Sequence, residues 1–411
     1  MGERPNGIRE AHAHILAHGR SMDMVQLADC KRAEDMLDAI AMATDGRSLV
    51  LAHGARPEAW ETPGWPASSD LDRASGDAIV AAWCFDYHAM MVNSEALSRL
   101  GLDATSGDPP GGELGRTPDG ELSGVLYESA AGQAWSKLEP KGVDPKALAR
   151  AIDDLTHQGF QEVHDLKTQP GLGETLKEIG CQLSVTLYPL VQDLPEILKT
   201  HRDWRSDQIR LGGGKIFVDG TLNSRTAWML HPFADGRPEH PSGMQLMSDA
   251  AIEDAIKLCV GEGLQLAAHA IGDAAVRAVL DAAERARAPR GSVRIEHAEL
   301  IDEADVPRFA ELGVIASVQP CHLLYDIEAL RRACPARLDR VQPIRELIDS
   351  GLQPGRAILF GSDTPIVRPN PEDSILAATN RGRSDMALAD GIAPSQAITE
   401  AEAWACFDAD A

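Results

Sequence analysis

Six residues spread along this chain have the types needed for metal-assisted hydrolysis. His12 and His14 lie in Ala11-His12-Ala13-His14, and Lys215 lies in Gly214-Lys215-Ile216-Phe217-Val218. His269 lies in Ala268-His269-Ala270, His297 in Glu296-His297-Ala298, and Asp363 in Gly361-Ser362-Asp363-Thr364-Pro365. Five of the six are good ligands for a borderline divalent metal. Residues two apart on a strand point the same way, so His12 and His14 can reach one ion. A buried Asp363 needs a partner, which a metal or a metal-bound water would supply, unless it caps the helix that Pro365 begins. A lysine inside an otherwise apolar or glycine segment is penalised for its charge, so its pKa should fall. A neutral amine can add carbon dioxide to give a carbamate whose two oxygens bridge cations. Reaching out to solvent, or pairing with Asp219, is the structural alternative.

Positioning these residues requires strand ends that converge. Short apolar runs at 161–165, 182–190, 209–218, 264–269, 293–297, 314–319 and 357–361 read as strands, with the segment around His12 opening the series. Between them lie amphipathic stretches: 144–158 carries Leu148, Ile152 and Leu155 at helical spacing, and 249–259 carries Ile252, Ile256 and Cys259. Repeated strand–helix alternation implies a parallel sheet, and eight strands suggest a closed (β/α)8 TIM-like barrel. In such a barrel the carboxyl ends of the strands face the active site, where His269 and His297 would sit. Residues 46–140, rich in Gly, Pro and Trp, break the rhythm. They read as a large insertion after strand 1, over the barrel mouth, in which Trp60 and Trp65 argue against disorder. The expected organisation is therefore 1–45 as barrel start, 46–140 as insertion and 141–411 as the rest of the barrel.

The bulk composition narrows the function classes. With 63 Asp and Glu against 39 Lys and Arg, the net charge is -24 over 411 residues. That field disfavours nucleic acid and anionic membrane as partners. Seven scattered cysteines without a CxxC pair read as reduced thiols, and no signal core or spanning segment is legible, so the expected location is cytoplasmic.

Several further segments travel with the six residues. They are Trp65-Pro66 with Asp70-Leu71-Asp72, Asp86-Tyr87-His88-Ala89 with Asn93-Ser94-Glu95-Ala96-Leu97, and Gly120 to Glu128. Lys215 to Gly220 with Ser224-Arg225-Thr226-Ala227, Ser317-Val318-Gln319-Pro320 and Gly361 to Pro365 complete the pattern. Together, from about residue 9 to residue 405, the pattern resembles the YtcJ-like branch of the amidohydrolase superfamily. The resemblance implies His12, His14, Lys215, His269, His297 and Asp363 as metal ligands. His12, His14 and Asp363 would hold one ion and His269 with His297 the other. Lys215 would be carboxylated and bridge them, with zinc as the metal and one or two ions per chain. It further implies hydrolysis of a small-molecule amide, an N-acyl or N-formyl compound, with Asp363 as general base and then acid. His88, Arg225 and His322 are the expected substrate contacts. Relatives usually carry a small β-sandwich built from both termini; here the companion domain is expected to be absent. A homo-oligomer is compatible with this reading. Lactone or phosphoester hydrolysis on the same metals, or a metal-binding barrel of little activity, are the alternatives.

Overall fold

Three successive glycines, Gly212 to Gly214, mark a stretch where the backbone of this protein closely approaches its neighbours. A Cβ at Gly212 would meet the Tyr188 ring at 2.6 Å, one at Gly214 would meet Val191 Cγ2 at 2.7 Å, and one at Gly213 would overlap the Gln265 carbonyl. The computed structural model, which describes residues 4–411, uses this point to change strand partner. Ile209–Leu211 pairs in parallel with Ser184–Pro189, whereas Gly213–Phe217 pairs in parallel with Gln265–Ala270. The single strand expected over 209–218 is thus two, because a glycine run without side chains lets one chain leave one sheet and enter another.

By internal packing the chain divides into two units: residues up to Gly19 together with Gly142–Ala411, and Arg20–Lys141. The first is an α/β unit with two wholly parallel sheets. One runs Ile8–Ala13, Phe160–Thr168, Ser184–Pro189, Ile209–Leu211; the other runs Gly213–Phe217, Gln265–Ala270, Val293–His297, Ile315–Val318, Ile358–Phe360. Backbone hydrogen bonds link the sheets at both margins. Val191 N donates to Lys215 O at 3.0 Å, while Asp363 N donates to His12 O at 2.7 Å and His14 N to Thr364 O at 2.9 Å. Gly361 permits the second contact, since a Cβ there would fall 2.6 Å from His12 N.

Helices follow the strands as their periodicity predicts. Pro145–His157 starts on Asp144, whose side chain accepts from Lys146 N, with proline in the first turn where no N–H is needed. It buries Leu148, Ile152 and Leu155 against Val163 and Val185. Full burial of each such side chain stabilises by about 1.5–3 kcal/mol. Asp249–Gly261 starts on Ser248, which accepts from Ala251 N, and buries Ile252, Ile256 and Cys259.

The second unit differs from expectation in extent and in content. Its boundary at Arg20 lies well before residue 46. The helix Ala33–Ala43 places Met36 and Ile40 one turn apart, and both pack with Val50, Ala52, Leu71 and Val80 of this unit. The unit holds a six-stranded sheet, in the order Val25–Gln26, Leu49–Ala55, Ile79–Cys84, Ala89–Val92, Leu122–Glu128, Gly112–Arg116. The first three strands are parallel and the rest antiparallel. The strands are short and their apolar runs are broken by turns, which hides their period. Trp60 is buried and meets Trp65 edge-on at 6.2 Å between ring centroids. No helix among the described residues is long and apolar enough to cross a membrane.

Candidate functional site

Five of the six residues fall at or just beyond the ends of parallel strands, and Lys215 sits inside one. His12 is on Ile8–Ala13 with His14 just beyond it, and Lys215 is at the centre of Gly213–Phe217. His269 is on Gln265–Ala270, His297 closes Val293–His297, and Asp363 follows Ile358–Phe360. All but His14 are buried. Asp363 does not cap a helix: the next one, Pro371–Asn380, is capped by Asn370.

The hydrogen bonds around the imidazoles fix where their lone pairs point. His12 Nδ1 lies 2.7 Å from Glu296 Oε2, and His14 Nδ1 lies 2.5 Å from Leu166 O. Both partners only accept, so each Nδ1 carries a proton, and the lone pair of each ring in its neutral form lies at Nε2. Those two Nε2 atoms lie 3.3 and 3.0 Å from Asp363 Oδ1, itself an acceptor without a hydrogen-bond partner. His269 follows the same logic: Nε2 lies 3.1 Å from Gly220 O, leaving the lone pair at Nδ1. Its ring centroid is 4.5 Å from that of His297. His297 in turn is 4.9 Å from His12, centroid to centroid, with Nε2 3.8 Å from Asp363 Oδ2 and Nδ1 unpartnered.

Burial pushes His12 down to about 4, and it also holds His297 well below the ordinary imidazole range, helped by His269, His12 and Lys215. Protonation therefore does not resolve the facing lone pairs at these two rings. For Asp363, burial pushes upward, but His12, His14 and His322 outweigh it and hold the carboxyl below its usual range. Lys215 Nζ is buried without a hydrogen-bond partner, 5.0 Å from the Phe217 ring centroid. Burial lowers it to about 8. Asp219, the alternative partner for this lysine, accepts from the backbone N–H groups of Trp228, Ile271 and Gly272. Converging acceptors with no donor between them fit a divalent cation; His12, His297 and Asp363 alone offer three ligand atoms within 4.8 Å of one another.

The three expected substrate contacts have different surroundings. His322 sits beside the set: Nε2 is 3.3 Å from Ser362 O and 4.0 Å from Asp363 Oδ2, and Nδ1 is 3.7 Å from Glu299 Oε1. Burial lowers its pKa, but Glu299, Asp363 and Asp326 more than reverse this and raise it to about 9. Arg225 is tied down, with Nε and Nη2 on the two oxygens of Asp235 at 2.7 and 2.6 Å and Nη1 donating to Leu222 O and Asn223 O. That geometry makes it a brace of its own loop. His88 belongs to the second unit, where its Nδ1 lies 2.7 Å from Glu128 Oε2.

Sequence reasoning missed the carboxylates behind the imidazoles. Glu10 Oε1 accepts from His12 N at 3.0 Å and Ser362 N at 2.9 Å, tying both ligand-bearing segments together. Glu296 holds His12, and Glu299 faces His322. The signal present in the chain was a charged residue inside each apolar run, Glu10 in the first strand and Arg294 with Glu296 in Val293–His297.

The chain matches the amidohydrolase family over residues 7–407. It is 29% identical over 409 residues to Protein LONG AFTER FAR-RED 3 of Arabidopsis thaliana, covering 91% of this chain and 68% of that one. It is 27% identical over 394 residues to the putative amidohydrolase YtcJ of Bacillus subtilis, covering 92% and 73%. It is also 27% identical over 365 residues to an N-substituted formamide deformylase of Arthrobacter pascens, covering 82% and 65%. A solved structure of an uncharacterized metal-dependent hydrolase from Pyrococcus horikoshii shares the fold, with a TM-score of 0.74 at 23% identity over 97% of this chain and 78% of that one.

Proposed function

The chain belongs to the amidohydrolase family, in its YtcJ-like branch, and on that premise we propose that it is a metal-dependent hydrolase of carbon–nitrogen bonds other than peptide bonds. The substrate in this reading is a small N-acyl or N-formyl amide, a class that includes the compounds for which the N-substituted formamide deformylase relative is named. The observation that carries the proposal is the convergence of two imidazole lone pairs on Asp363 Oδ1 at 3.0 and 3.3 Å.

In this reading His12, His14 and Asp363 hold one ion and His269 with His297 a second. Lys215, desolvated and unpartnered, would in its neutral form add carbon dioxide and release a proton, giving a carbamate whose oxygens would serve as metal ligands. The strands that bring these residues together form a (β/α)8 barrel. Supporting that view, backbone hydrogen bonds join the two parallel sheets at both margins. A divalent ion at this site, zinc by the donor set, supplies Lewis acidity and brings the pKa of a water to about 7. Asp363 takes the proton of the attacking water and returns it to the leaving amine. Its left-handed backbone, φ 61°, is held by the bond from its N–H to His12 O. His322, donating Nε2–H toward Ser362 O, lines the Oδ2 side of that carboxylate.

Elemental analysis of protein produced with zinc, alongside His269→Ala, tests the proposal. About two zinc per chain, fewer in the variant, supports it. About one removes the bridging role of Lys215, and a folded protein without metal overturns the mechanism. Parallel assays on N-formyl amides, N-acyl amides, lactones and phosphoesters then separate the bond classes; turnover confined to esters would overturn the amide assignment.

A further inference from the structure

Behind the His12 ring lies a buried ion pair with no part in the mechanism above. Glu296 and Arg294 are 0% and 1% exposed. Glu296 Oε2 accepts from His12 Nδ1 at 2.7 Å, while Arg294 bonds Oε1 through Nε and Oε2 through Nη2, the latter at 3.1 Å. Arg294 is itself anchored on four other strands. Nη2 donates to Ala11 O at 2.7 Å and to Ser317 Oγ at 2.9 Å, Nη1 donates to His164 Nδ1 at 2.8 Å, and the guanidinium stacks 5.3 Å from the Tyr188 ring. A carboxylate gripped this way cannot swing, so the imidazole that donates to it cannot turn.

The other two imidazoles with assigned protons, His14 and His269, rest on backbone carbonyls. His12 differs in resting on a full negative charge. Gln319 Nε2 also approaches His12 Nδ1, at 3.4 Å, but one of its two hydrogens serves Ser317 O at 3.1 Å and the other has no lone pair to meet at a protonated Nδ1. A charged acceptor behind a ligating histidine fixes its tautomer and raises its basicity toward the metal.

We propose that Glu296 is a positioning residue of the metal centre. It holds His12 as the Nδ1–H tautomer with Nε2 aimed at Asp363 Oδ1 and strengthens it as a ligand, with Arg294 keeping the carboxylate in place. This rests on the metal-centre reading given above. The competing role is purely structural, with Glu296 serving only as the counter-ion that lets Arg294 be buried.

Two variants separate these roles. Glu296→Gln keeps an acceptor for His12 but removes the charge. The double variant Arg294→Met, Glu296→Leu removes the pair together, so no lone buried charge is left to unfold the protein. Histidine ring nitrogen NMR on metal-free protein reads the tautomer of His12, and competition with a chromophoric chelator reads the affinity for zinc ion alone. The expected result is that the folded double variant loses the Nδ1–H preference and binds zinc about 10–100-fold more weakly. Glu296→Gln should keep the tautomer and lose less affinity. A folded double variant with the original tautomer, or with undiminished zinc affinity, would overturn the proposal. If the unaltered protein takes up no zinc, the metal-centre reading fails by itself. The tautomer in metal-free protein then still decides whether Glu296 orients His12.

Discussion

Two buried polar clusters in this molecule are built on opposite terms. In the second unit, Asn93 satisfies its whole side chain within the protein. Oδ1 accepts from Val80 N and Ala96 N, both at 3.0 Å, and Nδ2 donates to Ser75 Oγ at 2.9 Å and Ala78 O at 2.7 Å. In the first unit, Asp363 Oδ1, His297 Nδ1 and Lys215 Nζ are equally buried and have no hydrogen-bond partner. An unsatisfied buried polar group costs about 1–3 kcal/mol. The Asn93 cluster avoids that cost and staples a helix start to a strand. The Asp363 cluster bears it, and the arrangement makes sense when a cation completes it. A complete set of partners marks a structural role, and unpaired acceptors gathered around one point, here from Asp363 and the imidazoles, mark a site for a cation.

The sharpest way to break this contrast is to exchange what each cluster has. Asp363→Asn keeps size and shape but replaces a charged acceptor by an amide, whose N–H can donate to the lone pairs of His12 and His14. Turnover should fall by about 10²–10⁴-fold, the contribution of a positioned acid–base group. The metal-free variant should melt no lower than metal-free parent protein, as followed by circular dichroism. A variant with full activity would remove Asp363 from the proton transfer, and one that unfolds would make it a structural residue like Asn93.

The reverse pattern is expected at Asn93. Asn93→Ala strands Val80 N, Ala96 N and Ala78 O, and should cost about 3 kcal/mol in urea unfolding. A change of less than about 1 kcal/mol would show that water replaces the amide freely, and the distinction between the clusters would lose its basis.

How much of this was legible in the sequence follows the same division. The parallel strands and the helices on 145–157 and 249–261 are legible because short apolar runs alternate with amphipathic stretches at helical spacing. The ligand candidates stand out because an imidazole, an amine or a carboxylate at the end of such a run has no local reason to be there. Partners are not legible, because they come from distant segments. Glu296 lies 284 positions from His12; its place inside an apolar run marks it as buried, but nothing local says which residue it pairs with. Arg225 shows the converse: expected as a substrate contact, it has its Nε–Nη2 edge on Asp235, ten residues on, and its Nη1 on the carbonyls of Leu222 and Asn223. The second unit was the least legible, since Ile79–Cys84 and Ala89–Val92 follow one another without a helix between them and pair antiparallel, and turns rich in Gly, Pro and Trp separate its strands.

Lys215 offers the finest test, because its effect is set by pH. Its amine titrates near 8 in the fold, against 10.5 for an ordinary lysine. Between those values the unfolded chain binds the extra proton, so the metal-free protein should gain stability as pH rises from 8 toward 10.5, by about 1 kcal/mol over the first pH unit. Below 8 both states are protonated and the penalty of burying the charge is present in full. Lys215→Met removes the titrating group, so its unfolding free energy should lack this slope and exceed that of the parent at about pH 7. The same neutral amine is the form that takes up carbon dioxide. At a fixed concentration of dissolved carbon dioxide, zinc uptake by the metal-free parent should therefore accelerate as pH passes through 8. Uptake that ignores carbon dioxide while the stability slope persists would leave Lys215 a desolvated amine with no part in bridging ions.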